Sequence, residues 1–291
     1  MLQHNEHMKI IECPRDAMQG WPHHIPTAEK IQYINSLLQV GFDTIDFGSF
    51  VSAKAIPQMA DTKEVLAGLD LSNTHSRLLA IVANVRGAEE ALVYDAIDYL
   101  GFPFSLSPTF QQRNTNSTME ESLQRVQQIQ ELCLAKGKTL VVYLSMGFGN
   151  PYGDAYSEEV LLQWVGHMAG MGIGIISLAD TVGMATPEQV HTALSTVIPQ
   201  YPQVSFGAHL HSTPYGWHDK LHAAVQAGCT RIDGALKGIG GCPMAQDELV
   251  GNMATENILH YLAQQQVPVS VNQEALAQSM QIANYLFNSS H

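Results

Sequence analysis

The feature that most constrains this chain is an alternation repeated eight times: a short apolar run of strand length, then a stretch with helical spacing. The runs are "MKIIEC" (8–13), "FDTIDF" (42–47), "LLAIVA" (78–83), "FPFSLS" (102–107), "TLVVYLS" (139–145), "IGIISLA" (173–179), "VSFGAHLH" (204–211) and "TRIDGAL" (230–236). Their apolar character is continuous, as expected of strands in a parallel sheet covered by helices. Between them, stretches such as "MEESLQRVQQIQELCLAKG" and "TPEQVHTALSTVIPQ" carry helix start signals, Ser or Thr with an acid or amide soon after; several stretches close on Gly. Eight β-α units within 291 residues predict a (β/α)₈ TIM barrel, a fold of roughly 250 residues. A doubly wound open sheet is the alternative, but no G-x-G-x-x-G opens the first helix and eight units suit closure. The expectation is one catalytic domain over 1–291, with an extra helical segment after strand 8, from about residue 242.

Composition narrows the functions. The chain is 45% hydrophobic and 14% charged, which reads as soluble and globular. A net charge of -13 argues against nucleic-acid binding and against an anionic membrane surface. It does not exclude an anionic small molecule, because a pocket's local field can differ from the bulk charge. The four cysteines (Cys13, Cys133, Cys229, Cys242) are scattered without a C-x-x-C pair, as in a reducing compartment. With no secretory or transit pattern at the N-terminus and no membrane-length apolar stretch, a cytoplasmic location is expected.

A TIM barrel places its active site at the C-terminal ends of its strands, and those ends are rich in chemistry here. Strand 1 leads into Glu12, Arg15, Asp16 and Gln19. Strand 2 ends with Asp46 and Ser49, strand 5 carries Tyr143, strand 6 leads to Asp180, and strand 7 ends with His209 and His211. After strand 8, "KGIGGCPMAQDELVGN" holds Cys242 and Asn252. Each residue taken singly has an ordinary reading. Asp16 is a helix cap, Asp180 caps the turn before "TPEQ", Cys242 is a small buried side chain, Asn252 is a turn residue, and Glu12 and Arg15 form an ion pair. On one ring they mean more. Residues i and i+2 of a strand share a face, so His209 and His211 reach toward one point. One carboxylate, two imidazoles and an amide oxygen form a mixed N/O set that suits Mg²⁺ or Mn²⁺ better than zinc.

The chain resembles the 3-hydroxy-3-methylglutaryl-CoA lyases, within the wider group of metal-dependent barrel lyases and condensing enzymes. The stretches that carry the resemblance are "PRDAMQ" (14–19), "SFVSAKAIPQMAD" (49–61), "NTNSTMEESLQR" (114–125), "SLADTVGMATP" (177–187), "HLHSTPYG" (209–216) and "GIGGCPMAQDELVGNMATE" (238–256). "SFVS-K--PQM-D" and "G-GGCP-A-----GN-ATE" are the more specific to the lyase branch. The resemblance implies Asp16, His209, His211 and Asn252 as metal ligands and Arg15 as the stabiliser of the acetyl-CoA enolate. It implies Cys242 as a proton-transfer group on a mobile loop, with Tyr143 and Asp180 near the reacting carbons. Glu12 matches an acid behind the ligands, Asp46 a further carboxylate of the site, and Gln19, Ser49 and Asn114 substrate-contacting positions.

Two positions depart from that pattern. Asp46 stands where the lyases have Glu, one methylene shorter, and "QGWPHH" (19–24) replaces a polar "QNE"-like segment. The implied partner is a small acyl-CoA substrate, and a homodimer is left open. The implied reaction is retro-aldol cleavage of a 3-hydroxyacyl thioester, with His209 or Asp16 as base. A condensing enzyme acting on a 2-oxo acid, and a non-catalytic ligand-binding barrel, are the alternatives.

Overall fold

Eight parallel strands close on themselves in the computed structural model, which describes residues 7–241 and 250–288. They are β1 (Lys9–Glu12), β2 (Thr44–Ser49), β3 (Arg77–Ile81), β4 (Ile97–Ser105), β5 (Thr139–Ser145), β6 (Ile175–Ala179), β7 (Ser205–His209) and β8 (Arg231–Gly234). Each pairs with its successor, and β8 returns to β1 from Lys9↔Arg231 to Glu12↔Gly234. The fold is the expected TIM barrel. Inside it, Leu79, Tyr99 and Val141 form a small apolar layer, while the main core lies between strands and helices.

The helices are fixed by their own ends and faces. Thr118 and Glu121 form a reciprocal capping box at the start of Met119–Ala135, and Thr186 and Gln189 do the same for Pro187–Gln200; such caps contribute on the order of 1 kcal/mol each. Val126, Ile129 and Cys133 then form a helical stripe against the barrel. Cys13, Cys133 and Cys229 are all buried free thiols. After the barrel come helices Thr255–Gln264 and Gln273–Asn288, the extra helical segment. No helix among the described residues is long and apolar enough to cross a membrane.

Two strands differ from the sequence reading in ways that matter. The fourth begins at Ile97, not at 102, because Asp98, Gly101 and Pro103 interrupt its apolar run. The seventh stops at His209: Leu210 breaks away, and His211–Ser212 pairs antiparallel with Gly251–Asn252, setting Asn252 opposite His211. The two histidines therefore do not share one strand. The "QGWPHH" segment is pinned away from the barrel mouth, with Trp21 edge-on to Phe287 at 5.2 Å and Gln58 donating to the His23 carbonyl at 2.8 Å. Of residues 19–24, only Gln19 lines the cavity at that mouth.

Candidate active site

A cavity of about 440 Å³ opens at the C-terminal ends of the strands. Arg15, Asp16, Gln19, Asp46, Asn114, Tyr143, His209 and His211 all line it. Helix Pro14–Gln19 starts directly after β1, with Pro14 at the first helical position where its missing N–H costs nothing. One turn apart on that helix, Gln19 accepts from Arg15 Nη1 at 2.8 Å. Arg15 grips Asp46 through Nε at 3.0 Å and Nη2 at 2.6 Å, and reaches Asp16 through Nη1 at 3.1 Å. The Glu12–Arg15 ion pair considered from sequence does not form; Arg15 turns to Asp46 and Asp16 instead.

The two imidazoles converge despite sitting on different elements, their ring centroids 5.2 Å apart. His209 Nδ1 meets Asp233 Oδ2 at 3.1 Å and His211 Nδ1 meets the Thr181 carbonyl at 3.0 Å. A carbonyl only accepts, so His211 carries its proton on Nδ1 and turns the Nε2 lone pair inward. That Nε2 is buried and has no hydrogen-bond partner. Asp16, His209 and His211 each bring a donor atom within 4.8 Å of the others. Asn252 donates from Nδ2 to Asp16 at 2.7 Å and to the Ile239 carbonyl at 2.9 Å. Gly240, at φ +90°, lets the preceding loop lie against this pair; a Cβ there would fall 2.6 Å from the Asp16 carbonyl and 2.8 Å from Asn252 Nδ2. A carboxylate, two second-nitrogen-anchored imidazoles and an orphaned buried lone pair fit a divalent metal ion.

Charges follow the same geometry. Burial raises the Asp16 carboxyl, but Arg15 and the two imidazoles outweigh it and bring it down to about 2. Burial lifts Asp46 to about 6 against the pull of Arg15, which leaves it ionised at neutral pH. Burial and the neighbouring His209 push His211 down to about 4. Burial works the same way on His209, yet the hydrogen bond and charge of Asp233 prevail and raise it. Tyr143 is pushed well up, by burial first, and stays a neutral phenol.

Like Asn252, three other expected residues are not among those that line this cavity. Glu12, wholly buried at the end of β1, accepts from Leu236 N at 2.8 Å and from the Thr255 hydroxyl at 2.5 Å. Asp180 accepts from Ala185 N at 3.1 Å, the turn-capping role considered from sequence, and from Lys220 Nζ at 2.7 Å. Ser49 lines a neighbouring cavity and accepts from Val51 N at 3.1 Å. Cys242 lies outside the described residues.

Two residues around the site escaped the sequence reading. Asp233 stands at the end of β8 in "TRIDG", where a count of strand-end carboxylates would have found it. Lys220 lies on the helix Trp217–Gln226 and looks like an ordinary surface cation in sequence, yet it is buried.

The family profile described as HMGL-like matches residues 8–283, nearly the whole barrel and the helices after it. The chain belongs to the HMGL-like family. Its curated relatives include the hydroxymethylglutaryl-CoA lyase of Bacillus subtilis, 35% identical over 90% of this chain and 87% of the relative. Another is the cytoplasmic 3-hydroxy-3-methylglutaryl-CoA lyase of Rattus norvegicus, 34% identical over 88% of this chain and 74% of that one. Among solved structures, the HMG-CoA lyase of Bacillus subtilis superposes with a TM-score of 0.92 at 32% identity, covering 99% of this chain and 96% of that one. An Acinetobacter baumannii HMG-CoA lyase in complex with coenzyme A and 3-methylmalate gives 0.89 at 32% identity, covering 99% and 93%. In this HMGL-like protein, the Arg15–Asp46 pair and the Asp16–His209–His211 donor set share one cavity. The arrangement can hold a cation and meet a developing anion.

Proposed function

We propose that this HMGL-like protein is a metal-dependent carbon–carbon lyase that cleaves 3-hydroxy-3-methylglutaryl-CoA to acetyl-CoA and acetoacetate. The observation that carries the reading is the buried, unpartnered Nε2 of His211 beside Asp16 and His209, in the cavity that also holds Arg15. The names of the relatives support the substrate.

Asp16, His209, His211 and Asn252 would hold the ion, and their N/O character favours Mg²⁺ or Mn²⁺. Bound there, a divalent ion supplies Lewis acidity that makes the C3 hydroxyl of the substrate easier to deprotonate. The hydroxyl proton passes to a base beside the ion, for which Asp16 and His209 are the two candidates. The O–H electron pair becomes the ketone π bond, the C2–C3 bond breaks, and its electrons form the enolate of acetyl-CoA. Arg15, held by Asp46, faces that negative charge with a fixed guanidinium. Cys242 returns a proton to C2, the role its match in the resemblance implies, and acetyl-CoA and acetoacetate leave. Tyr143 donates as a neutral phenol, Gln19 and Asn114 contact the acyl group, and Glu12 and Asp180 act from behind by fixing backbone. Val51, Ile56, Ile81, Pro103 and Phe110 give the cavity an apolar wall that keeps water from the enolate. A cytoplasmic location belongs to the same reading.

The test is turnover of 3-hydroxy-3-methylglutaryl-CoA with Mg²⁺ or Mn²⁺, following acetoacetate and acetyl-CoA together. Equimolar products whose formation stops with a chelator are expected. Absence of turnover under both ions defeats the reading.

A further inference from the structure

Cys13 has no part in the reaction proposed above, yet it stands beside the donors of the site. It lies between β1 and the helix Pro14–Gln19, and its backbone N–H donates to the Gly234 carbonyl at 2.8 Å. That bond fixes it against β8, the strand that carries Asp233. Its thiol is buried and donates to the Ile11 carbonyl at 3.7 Å, a long contact that engages the proton and none of the sulfur lone pairs.

Cys13, His209 and Asp233 each bring a donor atom within 4.8 Å of the other two. This is a second set of three, distinct from Asp16, His209 and His211, and His209 belongs to both. The nitrogen it turns to Asp233 is Nδ1, 3.1 Å from Oδ2. His209 also lines the catalytic cavity, with 14% of its side chain exposed, so an ion reaches the second set by way of the first.

The two sets differ in chemistry. The first has only nitrogen and oxygen donors. The second adds sulfur, and a thiolate, an imidazole and a carboxylate with one position left for water make a ligand set for a softer ion that prefers four ligands. Mg²⁺ keeps to oxygen and gains nothing from it. The sets also exclude one another, because a neutral imidazole has a single lone pair. An ion on Nδ1 of His209 leaves the proton on Nε2, and that nitrogen no longer serves the catalytic ion.

We propose that Cys13, His209 and Asp233 form a site for a thiophilic divalent cation, Zn²⁺ or Cd²⁺, whose binding unseats the catalytic ion. On binding, the Cys13 S–H bond breaks, its proton goes to solvent, and the sulfur electron pair bonds the ion. The His209 proton passes from Nδ1 to Nε2, and Asp233 turns from accepting that proton to ligating the ion. Nothing is oxidised or reduced. The softer site stands on its own donors; the loss of the catalytic ion rests on the metal assignment of the lyase reading.

The test titrates Cd²⁺ and follows two signals, the ultraviolet charge-transfer band of a cadmium–thiolate bond and the electron paramagnetic resonance of bound Mn²⁺. Every protein carries Cys242→Ser, which removes the thiol that the resemblance places at the site. In this parent, one Cd²⁺ per chain is expected to raise the band and release Mn²⁺. Cys13→Ser should lose the band and weaken Cd²⁺ binding by more than about tenfold, since it removes a ligand outright and the loss of a mere supporting partner costs 10–100-fold. It should keep its Mn²⁺ at Cd²⁺ concentrations that empty the parent. Cys13→Ala repeats the test should a buried hydroxyl not be tolerated. A band that persists without Cys13, or Mn²⁺ released equally from parent and variant, overturns the proposal, because Cd²⁺ then binds elsewhere or competes directly for the first set. A Cys13-dependent band with Mn²⁺ still held overturns it too. Should the parent bind no Mn²⁺, the metal assignment of the lyase reading fails, and the band with its loss in Cys13→Ser still decides whether the softer site exists.

Discussion

Lys220 Nζ lies 2.7 Å from Asp180 Oδ2, a buried ion pair behind the cavity. The same ammonium donates to the carbonyl of Gly183 at 2.8 Å and to that of His211 at 2.9 Å. One cation thus ties the turn after β6 to the segment that carries an imidazole of the site, and all three of its protons are used.

Removing one partner of such a pair strands the other charge. Lys220→Met is expected to destabilise the fold by about 3–5 kcal/mol, the range for breaking a buried pair from one side. Adding Asp180→Asn removes the stranded charge and should restore part of that loss. Denaturant titrations of both single variants and the double give the coupling. A near-additive cycle would mean that Asp180 finds solvent or another partner once Lys220 is gone.

Arg15 is tied to two carboxylates at rest, and its role in turnover is to meet charge that appears only as the enolate forms. Arg15→Gln should therefore lower kcat by on the order of 10²–10³, the effect of losing one preorganised donor, with a much smaller change in KM. Steady-state kinetics check this. A loss of less than about tenfold would make Arg15 a structural partner of Asp46 and nothing more.

The eight strands were legible because each contains an apolar run between helix signals, even where Asp98, Gly101 and Pro103 hide the start of the fourth, and Asp16, His209, Arg15 and Asp46 follow from where those runs end. What remained hidden depends on pairing between distant segments. His211 reaches the site through a short ribbon with Gly251–Asn252, not through strand periodicity, and that same ribbon is what brings Asn252 beside Asp16. Asn252 was placed at the rim by its position after the last strand, and the family resemblance made it a ligand. Ser49 faces the neighbouring cavity because the register of β2 shifts between Asp46 and Gly48, which periodicity over six residues does not reveal. Lys220 carried no signal at all: burial of a lysine depends on acceptors supplied by the turn after β6 and by the His211 carbonyl, which only the fold brings to one ammonium.

Asp233 fixes His209 from behind by accepting at Nδ1, so its removal tests the metal site without touching a ligand. Asp233→Asn is expected to weaken Mg²⁺ or Mn²⁺ binding by about 10–100-fold, the usual cost of losing such a partner. His211→Ala, which removes a donor itself, should abolish stoichiometric binding. Electron paramagnetic resonance of Mn²⁺ titrated into each protein reads both effects directly. Wild-type Mn²⁺ affinity in His211→Ala would place the ion elsewhere.

Glu12 gives the fold a pH dependence of its own. Burial pushes its carboxyl from the ordinary 4.5 up to about 8, opposed by the Thr255 hydroxyl and the Leu236 amide and helped by the nearby charge of Glu256. Between those two values the folded chain holds a proton that the unfolded chain has released, so raising the pH favours unfolding. The Glu12 contribution is complete below the ordinary value and is lost progressively as the pH climbs to the folded one, at about 1.4 kcal/mol per unit of separation. Glu12→Gln preserves the geometry: its amide oxygen accepts from Leu236 and its amide nitrogen meets the Thr255 oxygen. It has no proton to lose. In denaturant titrations from about pH 5 to pH 8, Glu12→Gln should gain on wild type as the pH rises, every other titrating group being common to both. A gap that stays constant across that range would mean Glu12 is already ionised in the fold, with its two hydrogen bonds outweighing burial.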